Sequence, residues 1–414
     1  MTDVLTTDGY ILFGTRLIRM FAYGFLSVVL VLYLAQLGLN EGLIGLVLSL
    51  TLIGDAAISL WMTTSADRFG RRRILIAGAG LMLFAGVLFA LTDRVTLLLI
   101  AAIIGVISPS GYEVGPFLAV EQAALSQIVP DERRTQVFGW YNLVGSFATA
   151  VGALAGGGMT ELLQEAGMLP LNSYRTIVIL YGAIGLVLVL LFTRLSCSIE
   201  TAHSDSARTW FHLGLHRSRG VVLKLSALFG LDAFAGGFVV QSLIAYWFHI
   251  RFGAQPATLG GIFFGANILA GISALAAASV AARIGLVNTM VFTHLPSNLL
   301  LMLVPLMPNL PLAIVVLFMR FSISQMDVPP RHSYTMAVVT SDERSAAAGV
   351  TGIARSIGAA ISPTFAGVFL SNSVLLSGPF FVAGGLKVFY DILLYRSFRA
   401  VTGPDQEELR AKKN

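Results

Sequence analysis

Among the ionisable residues that stand inside long apolar runs, where a chain solvated by lipid should carry few, eight are the leading candidates. They are Arg16, Arg19, Glu113, Glu121, Asp232, Arg320, Asp327 and Arg331. Burying a charge in hydrocarbon is expensive, so each is a functional candidate. A buried carboxylate can bind and release a proton. A guanidinium can hold an anionic or polar part of a cargo, or pair with a neighbouring carboxylate. Four of the eight are basic and four are acidic. That balance is what burial demands, because an unpaired buried charge costs several kcal/mol. Other chemistries find no residues. The six histidines are scattered, His332 beside Arg331 being the one inside a charged span, and Cys197 is the single cysteine. No metal-ligand cluster, nucleophile constellation or phosphate-cradling loop is visible. The expectation is a protein without cofactor or metal that is not an enzyme.

Spacing groups the candidates. Asp327 and Arg331 are i,i+4 and share a helical face, and Arg320 lies seven residues before Asp327 on that face. Arg16 and Arg19 are i,i+3. Glu113 and Glu121 are eight apart, within about 80° around a helix. At the helical rise per residue, Arg19, Glu121, Asp232 and Arg331 fall roughly 10–15 Å from one end of their spans, with Glu113 and Asp327 nearer the middle. Two readings follow. In one, Glu113 or Asp327 carries protons while arginines hold cargo. In the other, the groups are interhelical ion pairs that latch one conformation. Arg16 is close enough to a span end to snorkel. Asp55 and Arg355 form a second group of candidates.

The elements that must position these residues are membrane helices. The chain has 414 residues, of which 56% are hydrophobic and 12% charged, with mean hydropathy +0.80. Soluble domains carry about 25% charged residues. Runs long enough to cross a bilayer as helix recur at 11–36, 41–64, 73–92, 96–128, 136–160, 175–195, 221–250, 256–282, 286–306, 311–339, 345–371 and 378–398. The predicted fold class is an all-α integral membrane protein with twelve transmembrane helices in two pseudo-symmetric six-helix bundles. The bundles span 1–195 and 221–400, joined by a linker over 196–220 and followed by a tail over 401–414. Within the linker, Trp210, Phe211, Leu213 and Leu215 suggest an interfacial helix. Met1–Tyr10 lacks a basic leader, so the first run reads as a retained helix. Basic residues cluster on alternate loops, which puts both termini in the cytoplasm. A prokaryotic inner membrane is the expected location.

The halves repeat. Asp131-Glu132-Arg133 recurs as Asp342-Glu343-Arg344, each opening a span rich in glycine. Arg68-Phe69-Gly70 has a reduced counterpart in Arg283-Ile284-Gly285. Between spans two and three runs Asp67-Arg68-Phe69-Gly70-Arg71-Arg72. With the twelve spans and the central linker, this loop resembles the signature of the major facilitator superfamily: an acid, a base, a glycine and two more bases. The usual small glycine four residues before the acid is Thr63 here. The resemblance implies secondary active transport. It gives Asp67, Arg68, Gly70, Arg71 and Arg72 a conformational role, with Asp67 bracing the cytoplasmic end of span eleven. It also implies that spans one, four, seven and ten line the central cavity, and these spans carry the eight charges. Prolines and glycines at 109–116 are expected to break span four around Glu113. Pro329 and Pro330 are expected to break span ten between Asp327 and Arg331.

The function expected is alternating-access transport of a small organic solute, as proton-coupled efflux. The alternatives are an organic-anion importer or exchanger built on Arg19, Arg320 and Arg331, and a non-transporting membrane sensor. The expected partners are a small-molecule substrate, protons and the lipid bilayer. Nucleic acid is excluded, because the net charge of +5 sits in loop clusters, and a monomer is expected.

Overall fold

The structure is a computed structural model that describes residues 6–200, 216–340 and 343–399. The expected linker helix at Trp210, the tail after residue 400 and Asp342 lie outside the described residues. Every regular element among the described residues is helical. A lipid-exposed backbone leaves no other choice to a chain without a closed barrel. Several helix starts carry their own caps. Thr6 Oγ1 accepts the Gly9 amide at 3.3 Å, and Asn40 Oδ1 accepts that of Leu43 at 2.9 Å.

Nine helices among the described residues are long and apolar enough to cross a membrane, and ten if one bent pair counts as a single span. Span one is that pair, Thr7–Ser27 and Leu30–Gln36, bent by 43°. Spans two, three, five and six are Glu41–Phe69, Arg71–Leu91, Asp131–Glu165 and Pro170–Phe192. Span seven is Arg219–Gly237 and Gln241–Phe252, and span eight is Pro256–Ile284. Spans nine, eleven and twelve are Leu286–Leu303, Arg344–Leu370 and Gly378–Phe398. Spans four and ten are each two short helices: Val95–Ile104 with Phe117–Ile128, and Leu310–Phe321 with Val328–Ala337. By length and composition the described residues thus give nine or ten crossing helices against the twelve expected, and spans four and ten are numbered here by their place in the chain.

The break in span ten is not where the sequence suggested. The chain is non-helical from Ser322 to Asp327, while Pro329 and Pro330 lie in the first turn of Val328–Ala337. The first turn tolerates proline, because its amides have no intrahelical acceptor.

The helix pairs that pack most intimately are one with five, seven with eleven, three with six, and nine with twelve. Each pair has its counterpart six spans on, as a duplicated bundle requires. Close approach explains the glycines of spans five and eleven. A Cβ on Gly152 would lie 2.0 Å from the Phe21 carbonyl oxygen, and one on Gly358 would lie 2.2 Å from that of Gly230. These are backbone-to-backbone contacts of the kind small residues permit between membrane helices. The repeated loops agree as well: Gly70 has φ 94° and Gly285 φ 86°, a region that L side chains avoid.

Contacts divide the chain into two compact units, Met1–Asp205 with Val240–Ile268, and Ser206–Val239 with Leu269–Asn414. The division at 196–220 thus describes order along the chain, whereas Val240–Ile268 packs with the first unit. Within that unit, Tyr246 donates its hydroxyl to Glu41 at 3.1 Å. Gln241 Nε2 donates to Ser27 Oγ at 2.8 Å, and Glu161 accepts the Ala257 amide at 2.8 Å.

In the second unit Glu343 caps the start of span seven, accepting the amides of Arg217 and Ser218, each at 2.9 Å, and that of His216. Hydrogen bonds from the Ser218 side chain and these amides hold its carboxyl down at about 2. A folded-state value below the ordinary one contributes stability that is complete above the usual carboxylate range and fades as pH falls towards 2. Glu343→Gln is therefore expected to lower Tm by a few degrees at neutral pH and to flatten the acid limb of the Tm–pH curve. Equal acid limbs in both proteins would contradict this role.

Candidate functional site

The first unit gathers Arg16, Arg19, Glu113 and Glu121 into one network. Arg19 is fully buried and grips Glu121 with two nitrogens, each at 2.7 Å. Its Nε donates to Glu113 at 2.9 Å. Arg16 pairs with the other oxygen of Glu113 and donates to the Tyr141 carbonyl at 3.2 Å. The Tyr141 hydroxyl donates to Glu121. The arginine planes also lie over rings, Arg16 over Tyr141 at 4.6 Å and Arg19 over Phe117 at 4.4 Å. Two charges of each sign therefore cancel, and the Arg19–Glu121 fork is the geometry in which such pairs are strongest.

Glu113 reaches this network because span four is irregular between its two helices. Gly111 and Gly115 take positive φ there. The backbone groups thus freed find side chains. Asp55 accepts the Gly115 amide at 2.6 Å, and Tyr23 donates to the Val114 carbonyl at 3.1 Å. Asp55 is thus a brace for the broken segment.

The second unit builds a larger network around Asp232. Lys387 lies at 2.5 Å, Arg331 at 3.0 Å, Arg355 at 3.7 Å and His294 at 3.8 Å. Arg331 also holds Asp327 at 3.1 Å, one turn before it. His294 Nδ1 meets Asp391 at 2.8 Å, and Asn298 donates to the other oxygen of Asp391 at 3.0 Å. Asp232 thereby ties span seven to spans nine, ten, eleven and twelve.

The signature loop has its own bonding. The Arg71 guanidinium is buried and reaches Gln127 at 2.7 Å, the Ile199 carbonyl at 3.1 Å and Asp67 at 3.2 Å. The amides of Arg71 and Arg72 donate to Glu200 at 2.7 and 3.2 Å. Arg72 also bonds the Thr193 carbonyl. Arg68 lies over the Phe69 ring at 5.5 Å. Thr63, at the place of the missing glycine, turns its hydroxyl to its own helix at Ser59, 2.7 Å away.

Residues 12–363 match the sequence profile described as Major Facilitator Superfamily. The chain belongs to this superfamily. It is therefore an integral membrane protein that transports a solute across a membrane. A yeast relative, an uncharacterized membrane protein of Saccharomyces cerevisiae, is 29% identical over 432 residues, covering 97% of this chain and 96% of its own. A Na(+), Li(+), K(+)/H(+) antiporter of Planococcus maritimus is 29% identical over 127 residues, or 31% of this chain and 30% of its own. Among solved structures, a variant of the nucleoside transporter NupG superposes with TM-score 0.75 over 95% of this chain and 100% of its own, at 14% identity. A D-xylose-proton symporter superposes with TM-score 0.69 over 94% and 97%, at 16% identity. At such identities the superpositions speak for the fold. The full-length yeast relative weakens the expectation of a prokaryotic membrane.

Asp55 braces Gly115 in the first unit, and Arg355 approaches Asp232 in the second. The chain departs from its sequence reading elsewhere. Arg320 does not continue the face of Asp327, because its helix ends at Phe321; its guanidinium lies over the Phe321 ring at 4.8 Å. A histidine on another span, His294, meets the charged network directly. Lys387, Asp391 and Asn298 were not anticipated at all, since they stand on spans nine and twelve. The signal for them was present: Lys387 and Asp391 are i,i+4 on one span, as are His294 and Asn298 on another.

Proposed function

We propose that the chain moves a small organic solute by alternating access, coupled to protons, in the direction of efflux. The observation that carries this reading is the pair of buried ion networks built on spans one, four, seven and ten. Arg16, Arg19, Glu113, Glu121, Asp232, Asp327 and Arg331 each have a carboxylate–cation partner that must be broken and remade if the spans move. Glu113 and Asp327 are the carboxylates we assign to proton carriage. Each is held by arginines, so a proton and an arginine compete for the same oxygens. Arg19, Glu121, Asp232 and Arg331 form the latches beside them. Asp67, Arg68, Gly70, Arg71 and Arg72 hold the ends of spans two and three. The hydrogen bonds of Gln241, Tyr246 and Ala257 to first-half spans serve as a gate that opens in the alternate state. The Planococcus relative, a Na(+), Li(+), K(+)/H(+) antiporter, agrees with proton antiport.

A second reading, exchange of organic anions, draws on Arg355. Its side chain is 39% exposed and 3.7 Å from Asp232, so an anion can compete for it.

A thermal-shift screen of small organic compounds identifies the cargo. Reconstituted protein under an imposed pH gradient is then expected to move protons when that compound is present and not otherwise. Transport that follows a counter-anion and ignores the pH gradient would replace the first reading with the second.

A further inference from the structure

We infer that His294 and Asp391, on spans nine and twelve, form a proton-binding site additional to the carboxylates assigned above. Both side chains are buried, Asp391 at 0% exposure and His294 at 5%. An imidazole nitrogen 2.8 Å from a carboxylate oxygen needs a proton between them. Placed on Nδ1, that proton is donated to Asp391. The tautomer leaves Nε2 as the open position, and Nε2 faces a second carboxylate, Asp232, at 3.8 Å. One imidazole therefore lies between two carboxylates on different helices, ready to take a second proton.

The surrounding charges make that second proton consequential. The groups that face the imidazole are Asp232 from span seven and Asn298 from its own span. Span ten contributes Asp327, and Asp232 brings with it its own partners Arg331 of span ten and Arg355 of span eleven. Span twelve contributes Lys387, Tyr390 and Asp391. With His294 neutral, Arg331, Arg355 and Lys387 balance Asp232, Asp327 and Asp391. A proton from water arriving on Nε2 turns the neutral imidazole into a cation and leaves the set with one excess positive charge. Nε2–H then donates towards Asp232 Oδ1, the oxygen that Lys387 already holds at 2.5 Å. Two cations compete for one oxygen, which loosens the tie between spans seven and twelve. The unbalanced charge also draws an anion, or the loss of a cation, into the network. The residues named above in the first unit's network include no histidine.

The proton itself is the probe, so no cargo is needed. Purified full-length protein in lipid nanodiscs, labelled at histidine, is followed by NMR across pH. His294→Gln identifies the resonance by its loss. The site predicts that this imidazole titrates, and that isosteric Asp391→Asn lowers its midpoint by about one pH unit or more. Lys387→Gln is expected to raise the midpoint, because it removes the competitor for Asp232. A resonance that does not change between about pH 5 and 9 overturns the site, and so does a midpoint unaffected by Asp391→Asn. The role of the site in transport rests on the proton-coupled reading above. Wild-type transport that ignores a pH gradient would end that reading and leave the titration standing.

Discussion

Arg19→Ala will destabilise the protein by about 3–5 kcal/mol. The reason is arithmetic of charge in a closed space. Arg19 is 0% exposed and holds Glu121, also 0% exposed, through two bonds of 2.7 Å, and Glu113 through a third of 2.9 Å. Removing it leaves two carboxylates facing one remaining guanidinium, that of Arg16. The check is a thermal melt in detergent or nanodiscs, with Glu121→Leu as the mirror experiment. The double variant Arg19→Met with Glu121→Leu removes one charge of each sign and leaves Arg16 with Glu113. It is expected to melt within a few degrees of the wild type, since replacing a buried pair by apolar groups is often neutral. Transport by the double variant is expected to fall at least tenfold, because the latch is gone although the fold is intact. A stable and fully active double variant would reduce the network to scaffolding.

Asp232→Ala is the second large effect. Asp232 is the carboxylate on which Lys387, Arg331, Arg355 and His294 converge, at 2.5, 3.0, 3.7 and 3.8 Å. Its loss leaves Lys387 buried without that carboxylate, and leaves Arg331 with Asp327 alone of its two. The expected loss is again about 3–5 kcal/mol, read as a fall in Tm and in the yield of folded protein. Adding Lys387→Met restores the charge balance and should recover most of the stability. A rescue by Lys387→Met that fails, while Asp232→Asn alone is harmless, would contradict the hub. Double-mutant coupling near zero between Asp232 and Lys387 would do the same.

Much of this was legible in the sequence, and the reason is the solvent. Lipid forces apolar runs of about 20 residues and makes each interruption by charge conspicuous. Arg19, Glu113, Glu121, Asp232, Asp327 and Arg331 stood out on those grounds, and the fold brings them into two networks. The repeat was legible too, because Gly70 and Gly285 mark the same turn twice. What escaped has physical causes. Lys387 and Asp391 lie outside the four spans that the resemblance implies line the cavity, and their partners, Asp232 and His294, come from other helices. His294 has no local signature, since its partners come from other helices. Tyr141 reads as an ordinary aromatic until its hydroxyl meets Glu121. Pro329 and Pro330 drew the break in span ten towards themselves, whereas a helix accepts proline in its first turn and unwinds before it. Arg320 lost its expected face by that same shift, because helical register does not survive a non-helical stretch.

Gradient-driven and gradient-free transport measured in the same proteoliposomes bear most directly on the central claim, that carboxylates of the ion networks exchange protons for arginines during the cycle. The cargo is the first compound identified by thermal shift, and the proteins are wild type, Glu113→Gln and Asp327→Asn. Wild type is expected to accumulate cargo against its gradient when the pH gradient is imposed. Each variant is expected to lose at least tenfold of that accumulation while retaining exchange at equal pH. Gradient-driven accumulation that survives intact in both variants would contradict the assignment.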